Sequence, residues 1–199
     1  MNNESYIAIV GGIPGVGKTT VINEALKIAR AENFDISVIV YGTVMMEIAE
    51  KNYNVKHRDA MRKLPPRAQK EIQRQAALEI AERAKGKVVI VDTHFTIKTG
   101  VGSFLQGIPS WVSEAFHPKL LVLIETTAEE IKKRRELDTS RARDEDSLDL
   151  LMEHQLLNKI VAASIGQKTG ALLLVIPNRQ GKATEAGRVL FENLKAMKA

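Results

Sequence analysis

Apolar residues recur along this chain in two rhythms. Short continuous runs at residues 6–10, 36–41, 87–91, 119–124 and 171–176 are rich in Val, Ile and Leu and are bounded by polar or turn-forming residues. Runs of that length predict strands, most of them apolar on both faces. Between them the spacing turns helical. Residues 20–31 predict a first helix, ending near Glu32. Residues 44–51 predict a second, with Val44, Met45, Ile48 and Ala49 on one side. Pro65 and Pro66 stand where a helix start tolerates proline, and residues 67–85 carry one stripe of Ile72, Ala76, Ala77, Ile80 and Ala84 before Gly86. Residues 110–116 predict a short helix bearing the single tryptophan, Trp111. A charged helix, capped by Thr126 or Thr127 with a Glu three residues on, runs to about Leu137. A long helix starts at Asp146 or Ser147 and reaches about Ile165, and residues 183–197 close the chain. Strands alternating with helices predict a parallel sheet covered on both faces, an α/β fold.

Three stretches have no such rhythm. Residues 57–64 are polar and basic. Residues 93–109 hold three glycines and no period, so they predict a functional loop. Residues 138–144 predict a short polar loop carrying Arg141 and Arg143.

Composition narrows the class. A chain of 199 residues, 44% hydrophobic and 27% charged, suits one soluble globular domain. No apolar run approaches the roughly 18 residues of a membrane span, and the polar residues 1–6 are neither a signal nor a transit peptide. With no cysteine, disulfides and thiolate metal sites are excluded, and a cytoplasmic protein is expected. The net charge of +5 fits either nucleic acid or small polyanions. Aromatics make up only 5% of the chain, poor material for stacking bases, so phosphates on a small ligand are favoured over nucleic acid.

The chemistry starts at Gly12, Ile13, Pro14, Gly15, Val16, Gly17, Lys18, Thr19 and Thr20, which fit G-x-x-x-x-G-K-[ST] between a strand and a helix. Glycines let backbone N–H groups turn around phosphate oxygens, and the helix N-terminus adds partial positive charge. Lys18 can reach the β- and γ-phosphates, and the Thr19 hydroxyl can ligate Mg²⁺. Asp92 ends an apolar strand, where a carboxylate faces the ligand crevice and can hold the same metal. The glycine and asparagine–lysine–aspartate signatures of a GTPase are absent, as is an acidic residue after Asp92 to activate water. Transfer to an acceptor is therefore expected over hydrolysis. Arg134, Arg135, Arg141 and Arg143 bracket a loop between two helices and suit a lid closing over phosphates. For Arg134, a solvated face paired with Glu129, Glu130 and Asp138 is an equal alternative.

Read together, residues 12–20, 41–45 (YGTVM), 58–66 (RDAMRKLPP), 91–99 (VDTHFTIKT), 107–112 (GIPSWV) and 153–159 (EHQLLNK) make the chain resemble a nucleoside monophosphate kinase, more closely the archaeal type of adenylate kinase. The resemblance implies MgATP + AMP ⇌ 2 ADP on a five-stranded parallel sheet of P-loop NTPase fold. It implies a core at 1–41, 86–134 and 145–199, a monophosphate-binding insert at about 42–85 and a short lid at about 135–144. Residues 12–20 would bind ATP. Gly42, Thr43 and Arg62 would belong to the AMP site, which residues 93–109 complete. Commoner adenylate kinases carry an Asp-Gly-Phe-Pro-Arg run whose arginine holds the AMP phosphate. Here Asp92 is followed by Thr93, His94, Phe95, Thr96, Ile97 and Lys98, so Lys98, together with His94, is assigned that role. The lid holds no Cys or His cluster for zinc. The family forms trimers, and the helix from Ser147, with Leu148, Leu151, Met152 and Gln155 on one face, is a candidate interface, plain packing on the sheet being the alternative. Two alternatives keep the donor half: a kinase for another small acceptor (UMP, CMP or a non-nucleotide), and a nucleotide-switched ATPase that binds RNA or protein.

Overall fold

The computed structural model describes residues 4–100, 102–138 and 146–198. In chain order these form β1 (Tyr6–Gly11), α1 (Lys18–Ala31), β2 (Ser37–Val40), α2 (Tyr41–Tyr53), α3 (Arg58–Arg62), α4 (Pro66–Arg83), β3 (Val88–Asp92), β4 (Thr96–Gly100) and β5 (Ser103–Gln106). After them come α5 (Ser110–Phe116), β6 (Leu120–Glu125), α6 (Ala128–Leu137), α7 (Leu148–Thr169), β7 (Leu172–Pro177) and α8 (Ala183–Ala196).

Five strands make one parallel sheet in the order β2-β3-β1-β6-β7. Alternation along the central strands sorts the helices into two layers. Ala8 and Val10 of β1, with Val88 and Ile90 of β3 and Val122 and Ile124 of β6, face Val21, Ile22 and Ala25 of α1 and Leu190, Phe191 and Leu194 of α8. Ile7 and Ile9, with Val89, Val91, Leu121 and Leu123, face Tyr41 and Val44 of α2, Ala76 and Ile80 of α4, Phe116 of α5 and Ala162 of α7. Most of these side chains are fully buried, each contributing about 1.5–3 kcal/mol where the side chain is as large as Val or Ile. α1 and α8 pack closely because residue 187 is glycine: a Cβ there would lie 2.5 Å from the Glu24 Cβ. A smaller cluster of Ala49, Val55, Met61 and Ile72 holds α2, α3 and α4 together.

The helix starts follow capping chemistry. The Thr127 side chain accepts from the Glu130 N–H at 3.2 Å, so Thr127 caps α6, while the Thr126 hydroxyl donates to the Glu130 carboxylate. The Ser147 hydroxyl accepts from the Leu150 N–H and caps α7, which frees Asp146. α7 runs beyond the expected end to Thr169, where Gly170 adopts φ 75°.

Two expectations are corrected. Residues 93–109 are not an aperiodic loop: β4 and β5 pair antiparallel, Lys98 opposite Phe104. Both strands are mostly exposed, so neither carries the continuous apolar run that marks the strands of the main sheet. The polar stretch 57–64 contains α3, whose cap is the His57 Nδ1, accepting from the Ala60 N–H at 3.2 Å. Arg141 and Arg143 lie outside the described residues.

Candidate functional site

The strand order reverses around β1, so its C-terminal end opens onto the crevice where ligands of open α/β sheets bind. The chain leaves β1 there through residues 12–17. The Ile13 and Val16 side chains plug into the core beneath the loop, so its backbone is what remains to face outward. Gly15 and Gly17 adopt φ 100° and 84°, the left-handed region that glycine occupies without penalty. Gly17 caps α1 with no side-chain hydrogen bond, and the first turn of α1 has no acidic residue. Unsatisfied N–H groups at a helix N-terminus form an anion site. Thr19 and Thr20 are exposed on that first turn.

Lys18, opening α1, and Asp92, closing β3, form an ion pair in direct contact. Burial pushes the Lys18 ammonium down to about 8. Asp92 is set by register, opposite Val10 of β1 and Val40 of β2 at the sheet's C-terminal edge. His94 follows it, and its Nδ1–H donates to the Gly12 carbonyl at 3.0 Å. Burial, with the Lys18 charge beside it, pushes His94 down to about 4, leaving a neutral ring. In this structure the neutral His94 ring bonds the loop backbone.

Arg134 and Arg135, from the last turns of α6, both reach the loop from residues 12 to 17. Arg134 donates to the Val16 and Asn178 carbonyls at 3.0 and 2.9 Å, and its pair with Glu130 spans 3.4 Å. Arg135 Nε donates to the Pro14 carbonyl at 2.8 Å, and its Nη1 meets Asp146 at 2.7 Å. Asp146 also contacts Lys98, which links the β4–β5 hairpin to α6 and α7. Burial would raise the Asp146 carboxyl, but the bonds from Lys98 and Arg135 outweigh it and hold it below the usual range. Asp146 carries no sequence motif; sequence shows it only as a candidate cap. A second link stands behind the first: Asn158 Nδ2 donates to the Thr96 hydroxyl at 2.8 Å, and His154 Nε2 lies 3.1 Å from it.

Gly42 and Thr43 occupy the first turn of α2, which starts directly from β2 on the same sheet edge as Asp92. Arg62 is separated from this group, pairing with Asp59 on the exposed side of α3 at 3.5 Å. Arg58, one turn earlier, lies against Gly42: a Cβ on Gly42 would sit 3.4 Å from its Nη2. Its charge also bears on His94. The sequence resemblance names Arg62 alone; both arginines lie on the short helix α3, and its packing against α2 tells them apart. Among the described residues, no three His, Cys, Asp or Glu side chains cluster as a metal site, and no helix is long and apolar enough to cross a membrane.

A family model described as an AAA domain matches residues 11–151. Adenylate kinase of Methanocaldococcus jannaschii is 42% identical, with 96% of this chain and 100% of that protein covered. Adenylate kinase of Methanopyrus kandleri is 43% identical over 96% and 99%, and that of Methanothermobacter thermautotrophicus is 44% identical over 90% and 94%. Among solved structures, shikimate kinase from Acinetobacter baumannii, in complex with shikimate, aligns with TM-score 0.59 at 16% identity over 98% of this chain and 95% of that one. Shikimate kinase from Bacteroides thetaiotaomicron aligns at 0.55 and 15%, covering 96% and 99%. The shikimate kinases share the fold; the adenylate kinases share the sequence nearly end to end. The chain therefore belongs to the P-loop group that the AAA-domain model describes and, within it, to the adenylate kinases of archaeal type.

Proposed function

We propose that this protein is an ATP:AMP phosphotransferase, catalysing MgATP + AMP ⇌ 2 ADP. The observation that carries the reading is the contact between Lys18 and Asp92 at the mouth of an uncapped helix N-terminus. It gathers a phosphate-binding cation, a metal-binding carboxylate and free amides on one sheet edge. An oxygen of the AMP phosphate attacks the γ-phosphorus, and the bond to the β–γ bridging oxygen breaks toward ADP. Both phosphates are already ionised, so no general base is needed.

Residues 12–20 bind the ATP phosphates, with Lys18 on the β- and γ-phosphates. Gly42, Thr43, Arg62, His94 and Lys98 belong to the acceptor side, and Arg58 joins them because it lies on the first turn of α2. Arg135, with Arg141 and Arg143, neutralises the transferring group. Mg²⁺, arriving with ATP, supplies charge neutralisation at the phosphate oxygens; the Thr19 hydroxyl and Asp92 carboxylate would hold it. Both are hard oxygen donors, and Asp92 already faces a cation, the Lys18 ammonium. The insert at about 42–85 and the lid at about 135–144 bring acceptor and donor groups over this edge. A cytoplasmic setting, where both nucleotides occur, fits the reaction.

We also infer self-association, the trimer of the family, through α7. Leu148, Met152, Leu156 and Ile160 form an exposed apolar stripe at four-residue spacing. Leu151, expected on that stripe, is instead buried in the core.

A coupled assay tests the activity. ATP with AMP yields ADP far faster than ATP alone yields phosphate, and AMP outpaces UMP and CMP. Slow hydrolysis indifferent to AMP would overturn the reading in favour of an ATPase module.

A further inference from the structure

We propose that Arg134 and Asn178 are positioning residues for the donor phosphates, acting through the carbonyl of Val16. The proposal rests on the reading of residues 12–20 as the donor site.

The Val16 carbonyl accepts two side-chain hydrogen bonds from distant parts of the chain. Asn178 Nδ2, just after β7, donates at 2.7 Å, and Arg134 Nη1, from α6, donates at 3.0 Å. A trans peptide is planar, with its C=O and N–H pointing in opposite directions, and no peptide among the described residues is cis. Two donors that hold the Val16 oxygen on the outer side of the loop therefore aim the Gly17 N–H at the inner side. That N–H leads directly into the N-terminus of α1 and Lys18. Gly17 has the φ of 84° this turn needs, and a Cβ there would meet Asn178 Nδ2 at 2.5 Å. The same two groups that orient the peptide thus leave room for glycine alone.

The clamp is itself held on the side away from the loop. Arg134 Nη2 donates to the Asn178 carbonyl, so one guanidinium bridges Val16 and Asn178 with its fixed fork. Glu130 receives the same guanidinium, and its other oxygen accepts from the Gln180 N–H at 3.1 Å, tying α6 to the loop after β7. Asn178 is 3% exposed. Its amide nitrogen must face Val16, because the reverse orientation would oppose two carbonyl oxygens. The contacts run to the Val16 carbonyl and to each other, so the role assigned to both residues is positioning the loop. Loss of the clamp lets the Val16–Gly17 peptide rotate and costs the donor side alone.

Steady-state kinetics of R134Q, R134K and N178D, with ATP and AMP varied separately, test this alongside the Gly17 amide resonance titrated with MgATP. In N178D an oxygen replaces the nitrogen that faces Val16, at nearly unchanged volume. The KM for ATP rises about tenfold or more in R134Q and N178D, while the KM for AMP stays within about twofold. R134K recovers part of the loss, since an ammonium reaches one carbonyl but lacks the fork. The Gly17 amide shifts less on MgATP addition in R134Q and N178D than in the wild type. A folded R134Q or N178D with wild-type KM for ATP and a wild-type Gly17 shift overturns the proposal. So does an equal rise in both KM values with a lowered melting temperature. Should R134Q fail to fold, N178D and R134K decide by the same readouts. A wild-type chain that fails to transfer phosphate from ATP to AMP would instead overturn the donor-site reading.

Discussion

The Lys18 ammonium and the Asp92 carboxylate touch, although one opens a helix and the other closes a strand two positions away in the sheet order from the edge strand β7's neighbour β6. Both side chains are mostly buried, 12% and 17% exposed. Each offsets the other's desolvation, and in the proposed reaction each has another partner to take, phosphate for Lys18 and Mg²⁺ for Asp92.

Removing one member therefore does two things. Lys18→Met abolishes transfer, by about a thousandfold or more, and destabilises the fold by about 3 kcal/mol because the carboxylate is left buried and unpaired. The Lys18→Met, Asp92→Asn double variant regains much of that stability with no activity. Asp92→Asn alone raises the Mg²⁺ concentration needed for half-maximal rate about tenfold. Thermal melts and Mg²⁺ titrations check these outcomes.

On the proposed acceptor side, Arg58 lies against the first turn of α2, whereas Arg62 is turned to solvent beside Asp59. Arg58→Ala raises the KM for AMP about tenfold or more, a larger effect than Arg62→Ala, and leaves the KM for ATP near its wild-type value. Lys98→Ala also raises the KM for AMP. Kinetics with each nucleotide varied in turn distinguish the three.

His154 gives the fold an acid-sensitive joint. Burial pushes it below the ordinary histidine range, with the Arg135 and Lys98 charges adding to the effect. The unfolded chain then binds the proton more readily than the folded one, so stability is full above the unfolded value of about 6.5 and falls as pH drops below it. His154→Gln, which keeps a hydrogen-bonding group near Thr96, makes that acid limb shallower, the remainder belonging to His94, which burial pushes down to about 4. Urea melts between pH 7 and pH 5 measure the difference.

The proposed self-association runs through the α7 stripe. Met152→Glu with Leu156→Glu places two charges on exposed positions and yields a monomer of unchanged secondary structure. Sedimentation velocity and circular dichroism report the two halves of that outcome.

Much of this was open to the sequence because it depends on local pattern. The strand–loop–helix at residues 6–31, the Asp92 strand end and the alternation that buries both faces of the sheet all follow from the spacing of apolar and glycine residues. Tertiary structure decided the rest, because it brings together side chains far apart in the chain. Thr126 and Thr127 share the capping spacing, and only the bonds each makes separate their roles. Arg58 and Arg62 share a helix, and only α2 packing chooses between them. Leu151 and Met152 are neighbours, yet one enters the core and the other faces solvent. Arg134 looked equally suited to a solvated helix face. Its guanidinium instead spans Val16 and Asn178, a geometry set by the parallel sheet that places α6, the loop after β7 and the phosphate loop on one edge.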